Sequence, residues 1–238
     1  MTWSNYRAIL FDLDGVITPT AEVHMRAWRQ VFEPFLTGLP DQEPYTEHDY
    51  FTHIDGKARI DGVRDLLASR GLVLPEGSPD DDPASETVVS LGNRKNQAFR
   101  QIITDERIRP YPGSEELVRE LAAAGFRLAI VSSSRNARVV LESTGLADLF
   151  EVVVDGEVVA HDDIEGKPAP DAFKHAAALL GVPENVCVVV EDATVGVEAG
   201  AAGGFGLVIG VDRGTGADAL LAAGADLVVT DLSELVGA

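Results

Sequence analysis

From Arg109 onward, short runs rich in valine and isoleucine alternate with amphipathic stretches, a pattern that builds βαβ units and makes the strands of one sheet run parallel. The runs span residues 127–131, 151–154, 186–190, 207–211 and 227–229, each bounded by Gly, Asp, Ser or Pro. Helical patterns fill the intervals at 114–124, 136–144, 170–180, 195–202 and 217–223. An earlier run, residues 8–13, belongs to the same set; it is almost uniformly apolar, as a central parallel strand covered on both faces must be.

Residues 20–104 follow a different rule, with helical periodicity, more aromatics and no convincing strand. A helix over 21–35 puts Val23, Ala27, Val31 and Phe35 near one face, with further helices expected at 64–70 and 88–103 and a turn-rich acidic loop at 77–83. No internal repeat is visible. The expected fold is therefore α/β: a Rossmann-like, doubly wound parallel sheet core from residues 1–19 and 105–238, with an inserted α-helical cap domain over 20–104. An insertion directly after the first strand would hang over the C-terminal edge of the sheet, where open α/β folds bind ligands, so the cap is a candidate lid.

Composition excludes several classes of partner. Nineteen Lys and Arg against thirty-nine Asp and Glu give a net charge of −20, a field that repels nucleic acid and anionic membranes and requires any phosphate to be bound locally. A chain of this size buries roughly 70–75% of its unfolded surface, so a metal is expected to serve chemistry rather than stability. The single cysteine, Cys187, cannot form an intramolecular disulfide and sits in an apolar run, which reads as a buried inert thiol in a reducing compartment. With no signal-like N-terminus and no run near the ~18 apolar residues of a membrane span, the expectation is a cytoplasmic monomer acting on a small molecule.

The chemistry-bearing residues collect at strand ends. Asp12-Leu13-Asp14-Gly15 brings two carboxylates and a chain-turning glycine to the end of the first strand, where alternate residues share a face. One acid can serve as nucleophile or metal ligand and the other as acid/base, or the motif is a hydrogen-bonded turn with Asp14 solvated. Glu191-Asp192 ends another apolar run on the same edge, so four carboxylates converge, and Mg²⁺ suits such a cluster; alternatively the two acids simply favour the N-terminus of the next helix. Ser132-Ser133-Ser134-Arg135-Asn136 offers hydroxyls and amides to a phosphate at a helix start, or caps that helix with no ligand. Lys167, in Gly166-Lys167-Pro168-Ala169-Pro170, either is solvated or stabilises a transferring phosphoryl group. His161 beside Asp162 and Asp163 reads as a solvated loop.

Taken together, the ordered series Asp-x-Asp, Ser, Lys, Glu-Asp resembles the haloacid dehalogenase superfamily of phosphotransferases with a helical cap after the first motif. The run Phe11 to Thr18, Ala21-Glu22-x-His24, Arg26-Ala27-Trp28, Gly56-x-x-Arg59, Arg94-Lys95-Asn96, Tyr111-Pro112-Gly113, Lys167 to Asp171 and Glu191-Asp192 resemble its beta-phosphoglucomutase-like branch. This resemblance implies Asp12 as the nucleophile that becomes an aspartyl phosphate and Asp14 as general acid/base. It further implies Mg²⁺ on Asp12, the Asp14 carbonyl and Asp192 with Glu191 supporting through water, and Ser132 and Lys167 on the transferring phosphoryl group. A second phosphate site is implied at Arg59 with Ser134, Arg135 and Asn136, where Arg135 replaces a familiar lysine.

His24 and Trp28 lie one helical turn apart; the resemblance makes His24 and Lys95 couple cap closure to Asp14. Alternatively, His24 is a satisfied interfacial histidine and Trp28 a core residue. The implied reaction interconverts beta-D-glucose 1-phosphate and glucose 6-phosphate, with beta-glucose 1,6-bisphosphate as the priming intermediate. A sugar-phosphate phosphatase with a water-admitting cap, and a catalytically silent phosphosugar-binding protein, are the alternatives. Pro19 departs from the pattern, where an acid is usual; it fixes φ and lacks an N–H, which alters the hydrogen bonding of the hinge.

Overall fold

In the computed structural model, which describes residues 3–106 and 108–238, the first strand β1 (Ala8–Phe11) is buried at all four positions and lies at the centre of a six-stranded sheet. The others are β2 (Arg127–Val131), β3 (Val152–Val154), β4 (Cys187–Glu191), β5 (Leu207–Val211) and β6 (Leu227–Val229). Every pairing is parallel and the order is β3-β2-β1-β4-β5-β6. The expected α/β doubly wound sheet is what the chain forms. The strand order reverses between β1 and β4, so the crevice of this sheet opens where those two strands end, beside Asp12 and Glu191.

The chain divides into two compact units, Met1–Thr20 with Ile108–Ala238, and Ala21–Arg107. The first holds the sheet with α5 (Pro112–Ala123), α6 (Ala137–Thr144), α7 (Gly156–His161), α8 (Asp171–Leu180), α9 (Thr194–Ala202) and α10 (Ala217–Ala222). One core cluster joins Leu10, Val131, Phe173, Leu180, Val189, Val208 and Leu220, each no more than 2% exposed, so the valines of the strands pack on the helices that return between them. Cys187 lies in this core, its thiol donating to the Pro183 carbonyl at 3.3 Å, and burial pushes its pKa up to about 11, which fits the inert thiol expected of it.

The second unit is helical: α1 (Thr20–Thr37), α2 (Glu47–His53), α3 (Arg59–Ser69) and α4 (Val88–Asp105). Its core includes Trp28, Phe32, Tyr45, Leu66 and Leu91, with Trp28 stacked on Phe32 at 5.2 Å and Phe32 on Tyr45 at 5.5 Å between ring centroids. Two helices escape the sequence reading. Both are short, seven residues in α2 and six in α7. Each has a cap signal instead: Thr46 and Asp49 form a capping box, and the Asp155 carboxylate accepts from the Glu157 and Val158 amides.

Asp49 also closes this unit. Its carboxylate accepts from Arg70 Nη2 at 2.7 Å and from the Thr46 amide and hydroxyl, each at 2.8 Å. Burial opposes its charge, but these donors outweigh burial and hold its pKa below the usual carboxylate range. Its stabilisation is therefore present above the ordinary carboxylate pKa and is lost as pH falls through the lowered folded value. Asp49→Asn leaves Arg70 poorly paired and is expected to cost about 3 kcal/mol at pH 7. Urea unfolding followed by tryptophan fluorescence should show this difference shrinking at acid pH, as the wild-type carboxyl protonates.

Candidate active site

Asp12 continues the β1 ladder, its amide donating to the Val190 carbonyl at 2.9 Å, so its side chain emerges at the strand end with 7% exposure. Oδ1 accepts from Lys167 Nζ at 2.6 Å. The same ammonium donates to Glu191 Oε1 at 2.6 Å and to the Val131 carbonyl at 3.0 Å, which accounts for all three of its protons. Lys167 thus joins the ends of β1, β2 and β4 from the loop before α8. It is not the solvated lysine weighed above. Burial opposes its charge, but Asp12 and Glu191 together outweigh that penalty and hold its pKa above the ordinary lysine value.

Glu191 meets Asp12 on the Lys167 ammonium, and is itself fully satisfied there. Its Oε1 faces Lys167, and its Oε2 accepts from the amides of Asp192 and Ala193 at 2.8 and 2.9 Å. The carboxylate is drawn back under the turn into α9 because an ammonium and two amide dipoles satisfy it there. Gly196 makes room, since a Cβ at that position would lie 1.8 Å from Oε1. Among the described residues, no three His, Cys, Asp or Glu side chains are placed to hold a metal ion.

Asp14 is held by a separate network. Oδ1 accepts from the Thr20 hydroxyl at 2.5 Å, Thr20 and Thr18 hydroxyls lie 2.6 Å apart, and Ser132 Oγ donates to Oδ2 at 3.2 Å. A carboxylate only accepts, so Thr20 gives its proton to Asp14 and takes one from Thr18. These two threonines flank Pro19, which has no N–H of its own to donate. Gly15 follows at φ +91°, and a Cβ on it would lie 1.8 Å from Asp192 Oδ2. Only glycine lets the Asp192 carboxylate approach the turn so closely.

The serine loop leaves β2 with Ser132 buried. Ser132 Oγ accepts from the Ser134 amide at 3.1 Å and Ser134 Oγ from the Asn136 amide at 3.2 Å. Neither serine caps α6 from inside its first turn; Asn136 is the cap residue and makes no side-chain cap bond. The loop is buttressed by Gly156, whose amide donates to the Ser134 carbonyl at 3.2 Å and whose missing Cβ would lie 2.6 Å from the Ser133 carbonyl oxygen and 3.1 Å from Arg135 Cγ. The sequence reading assigned no role to Gly156 or Thr20 and took Thr18 only as the end of the first motif; Gly156 follows the cap residue Asp155, the one local signal available.

Within the helical unit, His24 Nδ1 pairs with Lys95 Nζ, and Lys95 lies 5.1 Å from the Trp28 ring centre and 5.0 Å from that of Phe99. An ammonium has no lone pair to offer, so Nδ1 is the acceptor and the ring proton sits on Nε2. Trp28, 2% exposed and stacked in the core, takes the core position weighed for it above. Arg59 opens α3, its Cγ and Nε 3.6 Å from where Gly92 of α4 would carry a Cβ. His161 is the last residue of α7 rather than a loop residue, and its exposed ring pairs with Asp162 at 2.7 Å.

The electrostatics calls for a cation. Asp12, Asp14 and Asp192 share the crevice with one buried ammonium, which Glu191 already engages. Burial, opposed by Lys167 but reinforced by Glu191 and Asp14, pushes Asp12 up to about 8. A hard divalent ion bound by one or two carboxylates, a backbone carbonyl, water and phosphate oxygen fits this donor set, and needs fewer than three acidic side chains.

A parallel sheet with this strand order, an Asp-x-Asp turn at its switch point and a buried lysine between two of its acids define a family, and comparison with known proteins agrees. The chain belongs to the haloacid dehalogenase-like hydrolase family, whose model matches residues 6–204. It is 46% identical, over 97% of its own length and 91% of the other, to the beta-phosphoglucomutase of Mycobacterium tuberculosis (strain CDC 1551 / Oshkosh). The crystal structure of beta-phosphoglucomutase from Clostridium difficile superposes with a TM-score of 0.76 at 26% identity, covering 97% of this chain and 93% of that one. A mutant form of CbbY from Rhodobacter sphaeroides, in complex with xylulose-(1,5)bisphosphate, gives 0.75 at 25% identity, covering 97% and 96%. The chain is thus an enzyme of the phosphosugar mutase and phosphatase type. No helix among the described residues is long and apolar enough to cross a membrane.

Proposed function

We propose that the protein is a Mg²⁺-dependent beta-phosphoglucomutase that interconverts beta-D-glucose 1-phosphate and glucose 6-phosphate in the cytoplasm, as a monomer. The observation that carries this reading is the pair of acids held for different tasks: Asp12 in an ion pair with buried Lys167, and Asp14 in a hydroxyl network two residues on. The 46% identity to a beta-phosphoglucomutase supports the mutase over the phosphatase.

In this reading, phosphorylated Asp12 gives its phosphoryl group to the sugar 6-hydroxyl while Asp14 takes the hydroxyl proton, leaving beta-glucose 1,6-bisphosphate and a free Asp12 carboxylate. After the bisphosphate reorients, Asp12 attacks the phosphorus at C1. Asp14 returns its proton to the departing C1 oxygen, and glucose 6-phosphate leaves. Asp12, Asp192 and the Asp14 carbonyl would hold Mg²⁺, which supplies positive charge against the transferring phosphoryl group. Glu191 holds Lys167 in place and supports the ion through water. Because Lys167 has no spare proton, it touches phosphate only by yielding one of its three bonds or sharing it. Ser132 donates to the same phosphoryl oxygens in exchange for its bond to Asp14.

By the resemblance, Arg59 with Ser134, Arg135 and Asn136 grips the phosphate that stays on the sugar, while His24 and Lys95 report cap closure to Asp14. Water must be kept from the aspartyl phosphate, since hydrolysis ends the cycle. A phosphorus NMR time course with beta-glucose 1-phosphate, Mg²⁺ and a trace of glucose 1,6-bisphosphate tests the reading. Glucose 6-phosphate without matching inorganic phosphate is the expected result; phosphate release alone would make the protein a phosphatase. In the same assay, Arg59→Ala is expected to slow mutase turnover by roughly 30-fold, about 2 kcal/mol of lost charged hydrogen bonding, and to slow phosphate release less. Unchanged mutase turnover would remove Arg59 from the second site.

A further inference from the structure

We propose that Arg213, on the loop after β5, is a positioning residue that sets the Asp14–Gly15 turn against Asp192; the inference rests on the functional reading above. Three consecutive carbonyls of this turn are tied back to the sheet unit. Val16 accepts from Ser114 Oγ at 2.6 Å, Ile17 from the Tyr111 amide at 2.9 Å, and Gly15 from Arg213 Nε at 3.0 Å. Gly15 has the widest torsional freedom of any residue, yet the peptide on its other side is also fixed, its amide donating to Thr18 at 2.7 Å. Arg213 is what stops the Gly15 carbonyl from swinging, and that carbonyl and the Asp14 carbonyl are joined through Gly15 alone.

The guanidinium is itself immobilised by groups of different kinds. Its face lies 3.9 Å over the Tyr111 ring, Nη1 donates to the Thr230 carbonyl at 3.0 Å, and Nη2 lies 3.5 Å from Asp231. The same loop holds the opposing acid: Thr215 Oγ1 donates to the Asp192 carbonyl at 3.2 Å. Asp212 Oδ1 stiffens the loop by accepting from the Gly214 and Gly216 amides, both at 3.0 Å. One loop therefore grips the backbone on both sides of the ion-binding groups. A planar fork with one edge on Gly15, another on Thr230 and its face on a ring is a task lysine cannot reproduce.

The test uses the full chain as wild type, Arg213→Ala and Arg213→Lys. Mg²⁺ affinity is measured by calorimetry without substrate, kcat and KM with beta-glucose 1-phosphate, and the fold by circular dichroism. Arg213→Ala is expected to weaken Mg²⁺ binding about 10-fold, the usual effect of removing a group that orients a ligand. It should also lower kcat, with KM for the sugar phosphate within twofold of wild type, and Arg213→Lys should recover only part of either loss. A folded Arg213→Ala with wild-type Mg²⁺ affinity and kcat overturns the proposal, as does a change confined to KM. If Arg213→Ala does not fold, Arg213→Lys is read by the same criteria. A wild-type protein that binds Mg²⁺ but turns over no sugar phosphate would defeat the functional reading, and the calorimetry would still decide the role of Arg213.

Discussion

Asp12→Asn is expected to abolish phosphoryl transfer, lowering kcat by at least about 10⁴-fold, the scale seen when a nucleophile is removed from an enzyme that acts through a covalent intermediate. An amide nitrogen and a neutral amide oxygen offer no carboxylate for attack, while the amide oxygen can still accept from Lys167. The fold should not suffer. Burial raises the Asp12 pKa to about 8, so in the metal-free protein its ionised form opposes folding; the stability linked to this group is full below about pH 4 and declines as pH rises through 8. Replacing it by a neutral residue removes that decline. Thermal melting in a chelator should therefore show Asp12→Asn at least as stable as wild type at pH 7, with a flatter dependence between pH 4 and 8. An inactive variant that also melts much lower would show that Asp12 is needed for the fold, and the loss of turnover would then say nothing about a nucleophile.

Lys167→Met should behave in the opposite way, damaging both properties. Methionine preserves much of the volume but leaves the Asp12 and Glu191 carboxylates facing each other with no cation at their centre. Removing one member of a buried ion pair typically costs about 3–5 kcal/mol. Because burial already holds Asp12 up to about 8, its carboxyl keeps its proton at both pH 7 and pH 5, so the lower end is expected, with little change between the two. Turnover should fall by about 10²–10³-fold, as when one fixed electrostatic donor is lost from a transition-state site. Urea unfolding at the two pH values, beside the phosphorus NMR assay, separates the effects. A variant as stable as wild type at both pH values would show that Lys167 does not stabilise the site by its charge.

Together the two variants divide the site by physical cause. Asp12 costs stability and supplies reactivity, whereas Lys167 supplies both. Such a division is expected where several acids are collected in a buried crevice to handle phosphate, because the charges that perform the chemistry are the ones that burial penalises most.

The long elements were legible in the residues alone. Valine-rich runs with polar ends became β2, β4 and β5 nearly to the residue, since a parallel strand buried on both faces has no way to hide polar side chains. The strand-end acids and the serine were legible too, for the ends of such strands are where an apolar run gives way to reactive groups, while Lys167 reaches them from the loop before α8. The short helices α2 and α7 were not, because their formation depends on caps and on packing.

What the sequence determined by itself is the inventory: a doubly wound sheet, an inserted helical segment, and Asp12, Asp14, Ser132, Lys167, Glu191 and Asp192 delivered to one sheet edge. Which acid faces which partner only the tertiary structure decided. Glu191 is satisfied by Lys167, which it shares with Asp12, and by two amides, Thr20 holds Asp14, and Arg213, some two hundred residues along the chain, fixes Gly15. The physical reason is that hydrophobic patterning acts through periodicity along the chain, whereas hydrogen bonds and ion pairs depend on distances of about 3 Å between groups that share no local sequence relation until the sheet has brought them together.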